Sequence, residues 1–226
     1  MRTPLTSIIG YVEMAREEAK EAPGLATYLA VIQRNSKRLL GLVNDLLDAA
    51  SGRLEIRRER VDLSQVLQRA LESQQPRAAA AGLTVDGSID EGLVVEGDEL
   101  RLGQVVDNLL SNAIKYTPSG GTVSLNAYRI HDQVVFTVGD TGIGMSPDEL
   151  DRLFVRFYRT SSVRKTAIGG AGLGLAIAKE LVEAHGGSIE ARSWPAQGTD
   201  MTVTLPVARN LTRAAHSCRG FAERGS

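Results

Sequence analysis

A single cysteine, Cys218, stands among the 226 residues, so no disulfide can close within the chain and no cysteine-rich metal site can form. A reducing, cytoplasmic setting is the expectation that follows. Aromatic residues make up only 4%, too few for a platform on which nucleic-acid bases stack. Charge of neither sign dominates: 26 Lys and Arg oppose 27 Asp and Glu, a net charge of −1. No global field exists to hold nucleic acid or an anionic membrane. No apolar run approaches the roughly 20 residues that span a bilayer, and no secretory leader opens the sequence. What is present is ordinary for a globular protein, 42% hydrophobic and 23% charged, which excludes a disordered or collagen-like chain. The length suits one large domain or two small ones.

The first fifty residues differ in texture from the rest. From Leu25, the positions 25, 29, 32, 36, 39, 43, 46 and 50 read Leu, Leu, Ile, Ser, Leu, Val, Leu and Ala. Steps of four and three alternate, giving the 3.5-residue period of a coiled-coil seam. Upstream, Leu5, Ile8, Val12, Ala15 and Ala19 keep the same alternation, and Glu21-Ala22-Pro23-Gly24 between the runs must break a helix. Thr3-Pro4 suits a helix start and Ser51-Gly52 a helix end. The reading is a helical hairpin. Two narrow seams bury little alone, so a second hairpin is the expected partner and a homodimeric four-helix bundle through residues 5–50 the expected assembly. The alternative is one amphipathic hairpin packed on the following domain.

From Leu54 the pattern becomes mixed. Leu54 to Arg58 alternates like a short strand. Asp62 to Ala81 reads as a helix capped by Asp62, Leu83–Ile89 and Leu93–Glu96 as short strands, and Asp98–Tyr116 as a second helix. Thr122–Ile130 and Gln133–Val138 form a hairpin across His131-Asp132. Ser146-Pro147 opens a short helix through Leu153, and Arg159–Gly170 reads as a mobile loop. Leu173–His185 is a third helix closed by Gly186-Gly187. Ser188–Ser193 and Asp200–Val207 pair around the turn at Pro195–Gly198, and the Arg-rich end after Val207 reads as disordered. The expected class is α+β, three helices against a mostly antiparallel sheet. The expected domains are a hairpin at 1–52, a globular domain at 53–208 and a tail at 209–226.

Three segments carry chemistry. Asp140-Thr141-Gly142-Ile143-Gly144 follows a strand, and Gly169-Gly170-Ala171-Gly172-Leu173-Gly174-Leu175 runs into a helix. Alternate glycines let backbone N–H groups approach an anion, and the helix N-terminus adds a favourable dipole. The second segment is therefore a candidate phosphate cradle, although no Gly-Lys-Ser/Thr makes it a P-loop. Taken singly, each is equally well a tight turn. The third segment, Asn108-Leu109-Leu110-Ser111-Asn112-Ala113-Ile114-Lys115-Tyr116, sets two asparagines four apart on one helix face, with Lys115 and Tyr116 a turn on. Asparagine disfavours helix interiors, so two on one face imply polar partners. An amide oxygen is a suitable hard ligand for Mg²⁺, and the lysine can meet phosphate.

Together and in this order, these segments resemble the Bergerat (GHKL) ATP-binding fold, and specifically the sensor histidine kinases of two-component systems. Residues 108–116 are similar to the N box, 140–144 to the G1 box, Phe154-Val155-Arg156-Phe157 to the F box and 170–174 to the G2 box. Arg2-Thr3-Pro4-Leu5-Thr6 resembles the end of the H box that opens the dimerisation hairpin. The likeness covers residues 1 to about 207. It implies an α/β-sandwich ATP-binding domain, ATP and Mg²⁺ as cofactors, and a response-regulator receiver domain as partner. By the same resemblance Asp140 accepts the adenine amino group, Asn112 holds Mg²⁺ on the triphosphate, and Asn108, Lys115 and the backbone of Gly170, Gly172, Leu173 and Gly174 meet phosphates. Tyr116 flanks the nucleotide, with Gly142, Gly144 and Phe157 at the site and Thr199 near the adenine. Arg156 or Arg159 neutralises the γ-phosphate, and Arg159–Gly170 is the lid. The arginines can equally be solvated charges, and Phe154 and Phe157 plain core. Related ATPases (gyrase, mismatch-repair proteins, heat-shock chaperones) place a water-activating glutamate where this chain has Asn108. An amide is no general base, so slow hydrolysis and phosphoryl transfer are implied.

The H-box pattern reads His-Glu, one apolar residue, then Arg-Thr-Pro-Leu, and Met1 occupies the apolar place. The phosphoacceptor histidine would precede residue 1, so the chain as given is expected not to label itself on the usual residue. An internal methionine read as a start, one half of a split kinase, and a degenerate ATP-gated dimeric regulator are the three explanations, the first preferred. Thr3 matches the position tied in this family to dephosphorylation of the response regulator. His131 is expected in a turn, His185 at a helix end and His216 in the tail, none as acceptor. A serine kinase of the anti-sigma type shares the ATP fold but needs no heptad hairpin.

Overall fold

The computed structural model describes residues 12, 15, 29, 32, 56–158 and 172–208. Of the features expected from sequence, Thr3, most of the hairpin seam, Arg159, Gly170, the 159–170 segment, His216 and the tail lie outside the described residues. The described residues fall into two compact units. The larger holds Ile56–Ser146 and the chain from Val182, and the smaller holds Pro147–Leu181 with the four N-terminal positions.

In the larger unit the chain runs through β1 (Glu59–Asp62), α1 (Leu63–Ala80), β2 (Thr84–Ile89), β3 (Val94–Gly97), α2 (Glu99–Tyr116), β4 (Thr122–Ile130) and β5 (Gln133–Asp140). It ends with β6 (Ser188–Trp194) and β7 (Gly198–Pro206). Five strands form one sheet in the order β2-β4-β5-β7-β6, with β2 parallel to β4 and every other neighbour antiparallel. Alternation sets the face: Val123, Leu125 and Ala127 on β4, Phe136 and Val138 on β5, and Met201, Val203 and Leu205 on β7 are all buried. The register places Phe136 opposite both Ala127 and Val203, so a large side chain fills the space a small one leaves. The buried stripes of α1 (Leu63, Val66, Leu67, Ala70, Leu71) and α2 (Leu102, Val105, Val106, Leu109, Leu110, Ala113) complete the core, and the two helices pack on each other. The edge strand β2 carries Asp86, Gly87 and Ser88, a polar stretch that blunts its free side.

Both long helices start at aspartates. Asp62 Oδ1 accepts the Gln65 N–H at 3.3 Å, and Asp98 Oδ1 accepts the Arg101 N–H at 3.2 Å. Each satisfies one of the donors that a helix leaves open at its N-terminus. The first strand departs from expectation. Residues 56–58 are irregular and pairing runs from Glu59 to Asp62, antiparallel to β3, with Val61 opposite Val95. The alternation at Leu54–Arg58 has the right period, but β3 offers only four positions and the buried Val61–Val95 pair fixes which four.

In the smaller unit, Pro147–Leu150 is one helical turn, α3, shorter than the expected 146–153. Consecutive turns follow it, with the N–H groups of Leu153, Val155 and Tyr158 each bonded three residues back. α4 (Gly174–Ala184), whose residues through Leu181 belong to this unit, buries Ala176, Ile177, Ala178 and Leu181. Val12, Ala15, Leu29 and Ile32 are helical, and Val12 and Leu29 are buried in one cluster with Ala15 beside them. Ile32, on the same seam, is 46% exposed.

Candidate active site

One edge of α2 supplies the polar side chains. The helix buries its apolar stripe and leaves Asn108, Asn112, Lys115 and Tyr116 half-buried along the border, while Asp107 is exposed. The four-residue spacing thus delivers both asparagines to one line, as expected. Lys115 Nζ donates to Tyr116 Oη at 2.9 Å and sits 4.6 Å from the centre of its ring. Among the described residues the Asn112 carboxamide has no hydrogen-bond partner.

The end of this helix is bound to the loop after β5. Ile143 donates its N–H to the Tyr116 carbonyl at 3.2 Å, and the Thr141 N–H goes to the Thr122 carbonyl at 3.0 Å. Asp140 closes β5 directly opposite Thr199 of β7, so the two side chains share a face. The Gly142 N–H donates to Asp140 Oδ1 at 2.8 Å, and the Thr199 N–H also points at this carboxylate. Burial nevertheless pushes the Asp140 carboxyl up to about 6, because the lost hydration outweighs these two bonds and the Asp200 charge adds to the rise. Gly142 is required by close approach: a Cβ there would stand 2.6 Å from both Asp140 Oδ1 and the Tyr116 carbonyl oxygen. Gly144 has φ +62° and a Cβ would overlap the Trp194 carbonyl oxygen. Tyr116, Asp140, Gly142, Gly144 and Thr199 are thus joined by these bonds and pairings, and Lys115, Asn112 and Asn108 lie progressively farther back along α2.

Sequence reasoning passed over one residue here. Ser193 of β6 is buried, accepts the Met145 N–H at 2.9 Å, reaches the Gly198 carbonyl at 2.8 Å and lies 2.9 Å from Thr199 Oγ1. The signal was a serine on the inward face of a strand, two and four residues after Ala191 and Ile189.

The smaller unit brings together the remaining described candidates. The Phe157 N–H donates to the Gly172 carbonyl at 2.8 Å, so the F-box end and the glycine segment touch. Phe157 has φ +63° and is 62% exposed, which removes the core-packing reading; Phe154 is half-buried with Lys179 Nζ 5.3 Å from its ring centre. Leu173 is buried, its carbonyl accepts the Ile177 N–H, and Gly174 is the first residue of α4, so the segment does lead into a helix N-terminus. Arg156 is not a free surface charge: Nη2 and Nε lie 2.6 and 3.0 Å from Glu180 Oε1.

His131 occupies the expected turn. His185 does more than end its helix. It is 2% exposed, and its Nε2 accepts the Asp98 N–H at 3.0 Å, which requires a neutral ring and fastens the start of α2. Among the described residues no cluster of three or more His, Cys, Asp or Glu is placed to hold a metal, and no helix is long and apolar enough to cross a membrane.

Comparison with known proteins identifies the family. Residues 97–209 match the family described as "Histidine kinase-, DNA gyrase B-, and HSP90-like ATPase", and residues 1–55 match the "His Kinase A (phospho-acceptor) domain". Sensor histidine kinase WalK of Bacillus subtilis is 37% identical over 91% of this chain and 35% of its own length. Signal transduction histidine-protein kinase BaeS of Escherichia coli is 38% identical over 94% of this chain and 46% of its own. The chain thus spans less than half the length of these curated relatives. Among solved structures, full-length ShkA in complex with AMPPNP superposes with a TM-score of 0.74 at 33% identity, over 92% of this chain and 44% of that one. The mycobacterial sensor histidine kinase MprB gives 0.58 at 32%, over 66% and 97%. With both domain types in the expected order, the chain belongs to the sensor histidine kinases of two-component systems.

Proposed function

We propose that this chain is the catalytic core of such a kinase, binding Mg-ATP and passing its γ-phosphate to a histidine, from which an aspartate of a response regulator takes it. The observation that carries this reading is the junction in which the end of α2, with Asn112 and Lys115, is bonded through Tyr116 to the Asp140–Gly144 loop. An acceptor for a base amine and groups for phosphate and cation lie on adjoining elements of one unit. Asp140 takes the adenine amino hydrogen, with Thr199 beside it. Asn112 offers an unspent amide oxygen to the cation; the ion, when bound, supplies charge neutralisation on the triphosphate. One protein oxygen suits Mg²⁺, which keeps water and phosphate oxygens as its other ligands. Lys115 and Asn108 take phosphate oxygens. The glycine-bearing run into α4, with Gly172 and Gly174, resembles a phosphate-binding helix start. Asp107 is exposed on another face and Asn108 cannot activate water, which favours transfer over hydrolysis. The likeness to ShkA, a protein solved with a nucleotide analogue, supports the same reading.

The domain reading is a hairpin at 1–52, an ATP-binding domain at 53–208 and a tail at 209–226. Homodimerisation through residues 5–50 is supported by Ile32, which is half exposed while Val12 and Leu29 of the same hairpin are buried. The test uses γ-labelled ATP and Mg²⁺ with this chain alone, and then with a hairpin fragment carrying His-Glu ahead of Met1. Acid-labile label on the fragment only is the expected outcome. Nucleotide binding without label in either mixture would favour an ATP-gated interaction module instead.

A further inference from the structure

We infer that Ser193 is a positioning residue: it turns the Thr199 hydroxyl proton away from the nucleotide base, making Thr199 a pure acceptor and the site selective for a 6-aminopurine over a 6-oxopurine. The inference rests on the nucleotide reading above and concerns which base that site takes.

The argument is one of hydrogen counting. The Ser193 hydroxyl has one proton and two lone pairs. The Gly198 carbonyl, 2.8 Å away, can only accept, so the serine proton goes there. The Met145 N–H can only donate, so it occupies one lone pair at 2.9 Å. A single lone pair remains, and Thr199 Oγ1 lies 2.9 Å from it. Thr199 must therefore be the donor, and its only hydroxyl proton is committed to Ser193. What Thr199 shows on its other side is lone pairs.

The surroundings reinforce this. Asp140, directly across from Thr199, is acceptor-only when ionised. The N–H groups of Thr141, Gly142, Ile143 and Met145 are committed to the Thr122 carbonyl, Asp140, the Tyr116 carbonyl and Ser193. The site thus presents acceptors, with these loop donors already spent. A 6-amino group offers two hydrogens to such a site. A 6-oxo group meets lone pairs where the amine gave a hydrogen, and the N1–H of such a base can satisfy only one of the two acceptors, leaving the other unmatched, the situation in which buried polar groups discriminate most strongly.

The test is equilibrium binding of ATP and ITP, which differ in the base at C6 and N1, at pH 8, where the Asp140 carboxyl is ionised. The wild-type chain is expected to bind ATP at least tenfold more tightly than ITP, the outcome of one mismatched buried hydrogen bond. In Ser193→Ala the Thr199 hydroxyl can rotate and donate to the 6-oxo group, so the ITP-to-ATP ratio of Kd values falls by roughly tenfold. A merely structural serine would weaken both nucleotides equally, and an unchanged ratio overturns the inference. Thr199→Val provides a second route should Ser193→Ala unfold. It removes the fixed acceptor and is expected to narrow the ratio too, with Ser193→Ala adding nothing further in that background. An unchanged ratio in Thr199→Val also overturns the inference. Binding of neither nucleotide to the wild type would overturn the nucleotide reading itself, a result distinct from a flat ratio.

Discussion

The loop after β5 and the segment after α3 are both short, irregular and rich in family motif, yet they are built on opposite principles. Around Asp140–Met145, backbone groups are bonded to α2, to β4 and to the β6–β7 turn, and a buried serine joins β6, β7 and the loop. Glycines stand where any Cβ would strike backbone. Around Arg152–Tyr158 most bonds are turns to residues three back, Val155 and Phe157 are more than half exposed, and charged groups are held by an exposed ion pair. The first region can tolerate little displacement; the second has little holding it in one arrangement. Under the proposed function, the tightly bonded loop suits recognition of a base.

The strongest test of that contrast is Gly144→Ala. The new Cβ would overlap the Trp194 carbonyl, at a φ of +62° that alanine disfavours, and neighbours bonded on three sides cannot yield. A loss of about 3 kcal/mol is expected, a melting temperature lower by roughly 10 °C. Gly172→Ala poses the same question in the other region. Its φ is +73° and a Cβ would stand 2.7 Å from the Tyr158 carbonyl oxygen. Here the neighbouring turn can shift, and a cost nearer 1 kcal/mol is expected. Equal melting shifts for the two variants would break the comparison.

Asp140 gives the next effect, one that separates binding from stability. Its carboxyl sits at about 6 in the folded chain against an ordinary 3.8, mainly through burial. A raised acid pKa means the ionised form is disfavoured by folding. The penalty is fully present above about pH 6, shrinks as pH falls, and is gone below the unfolded value. Binding of an amine donor needs the ionised form, so nucleotide affinity should fall as pH drops through 6 while the empty protein gains stability over the same range. Asp140→Asn should cost roughly 10- to 100-fold in ATP affinity and none in stability at pH 8. An ATP affinity flat from pH 5 to 8 would show that Asp140 is not the base acceptor.

Much of this was legible in the sequence because the signals were local. Asp62 and Asp98 announce their helices, Asn108 and Asn112 share a face by spacing alone, and glycine marks where backbone approaches backbone. What escaped depends on residues distant in the chain. Ser193 matters only because β6 and β7 set it beside Thr199 and Met145, and His185 only because it meets Asp98, 87 residues earlier. The first strand was placed too early because alternation does not name a partner. Arg156 could not be assigned to Glu180 from spacing, since 24 residues separate them.

That ion pair supplies the smallest effect and the finest probe. Two of the Arg156 guanidinium nitrogens, Nε and Nη2, converge on one oxygen of Glu180, and the two side chains are 41% and 33% exposed. Such a pair contributes little, so Arg156→Ala should change stability by no more than about 0.5 kcal/mol, and less still in high salt. The expected transfer rate to a histidine-bearing hairpin falls far more than that small change allows, because Arg156 can leave Glu180 for a phosphate at little cost. Glu180→Gln, which keeps the arginine and frees it, should then retain transfer. Parallel small losses in both variants would mean that Arg156 serves only its partner, and that the loosely held segment contributes its backbone and not its charge.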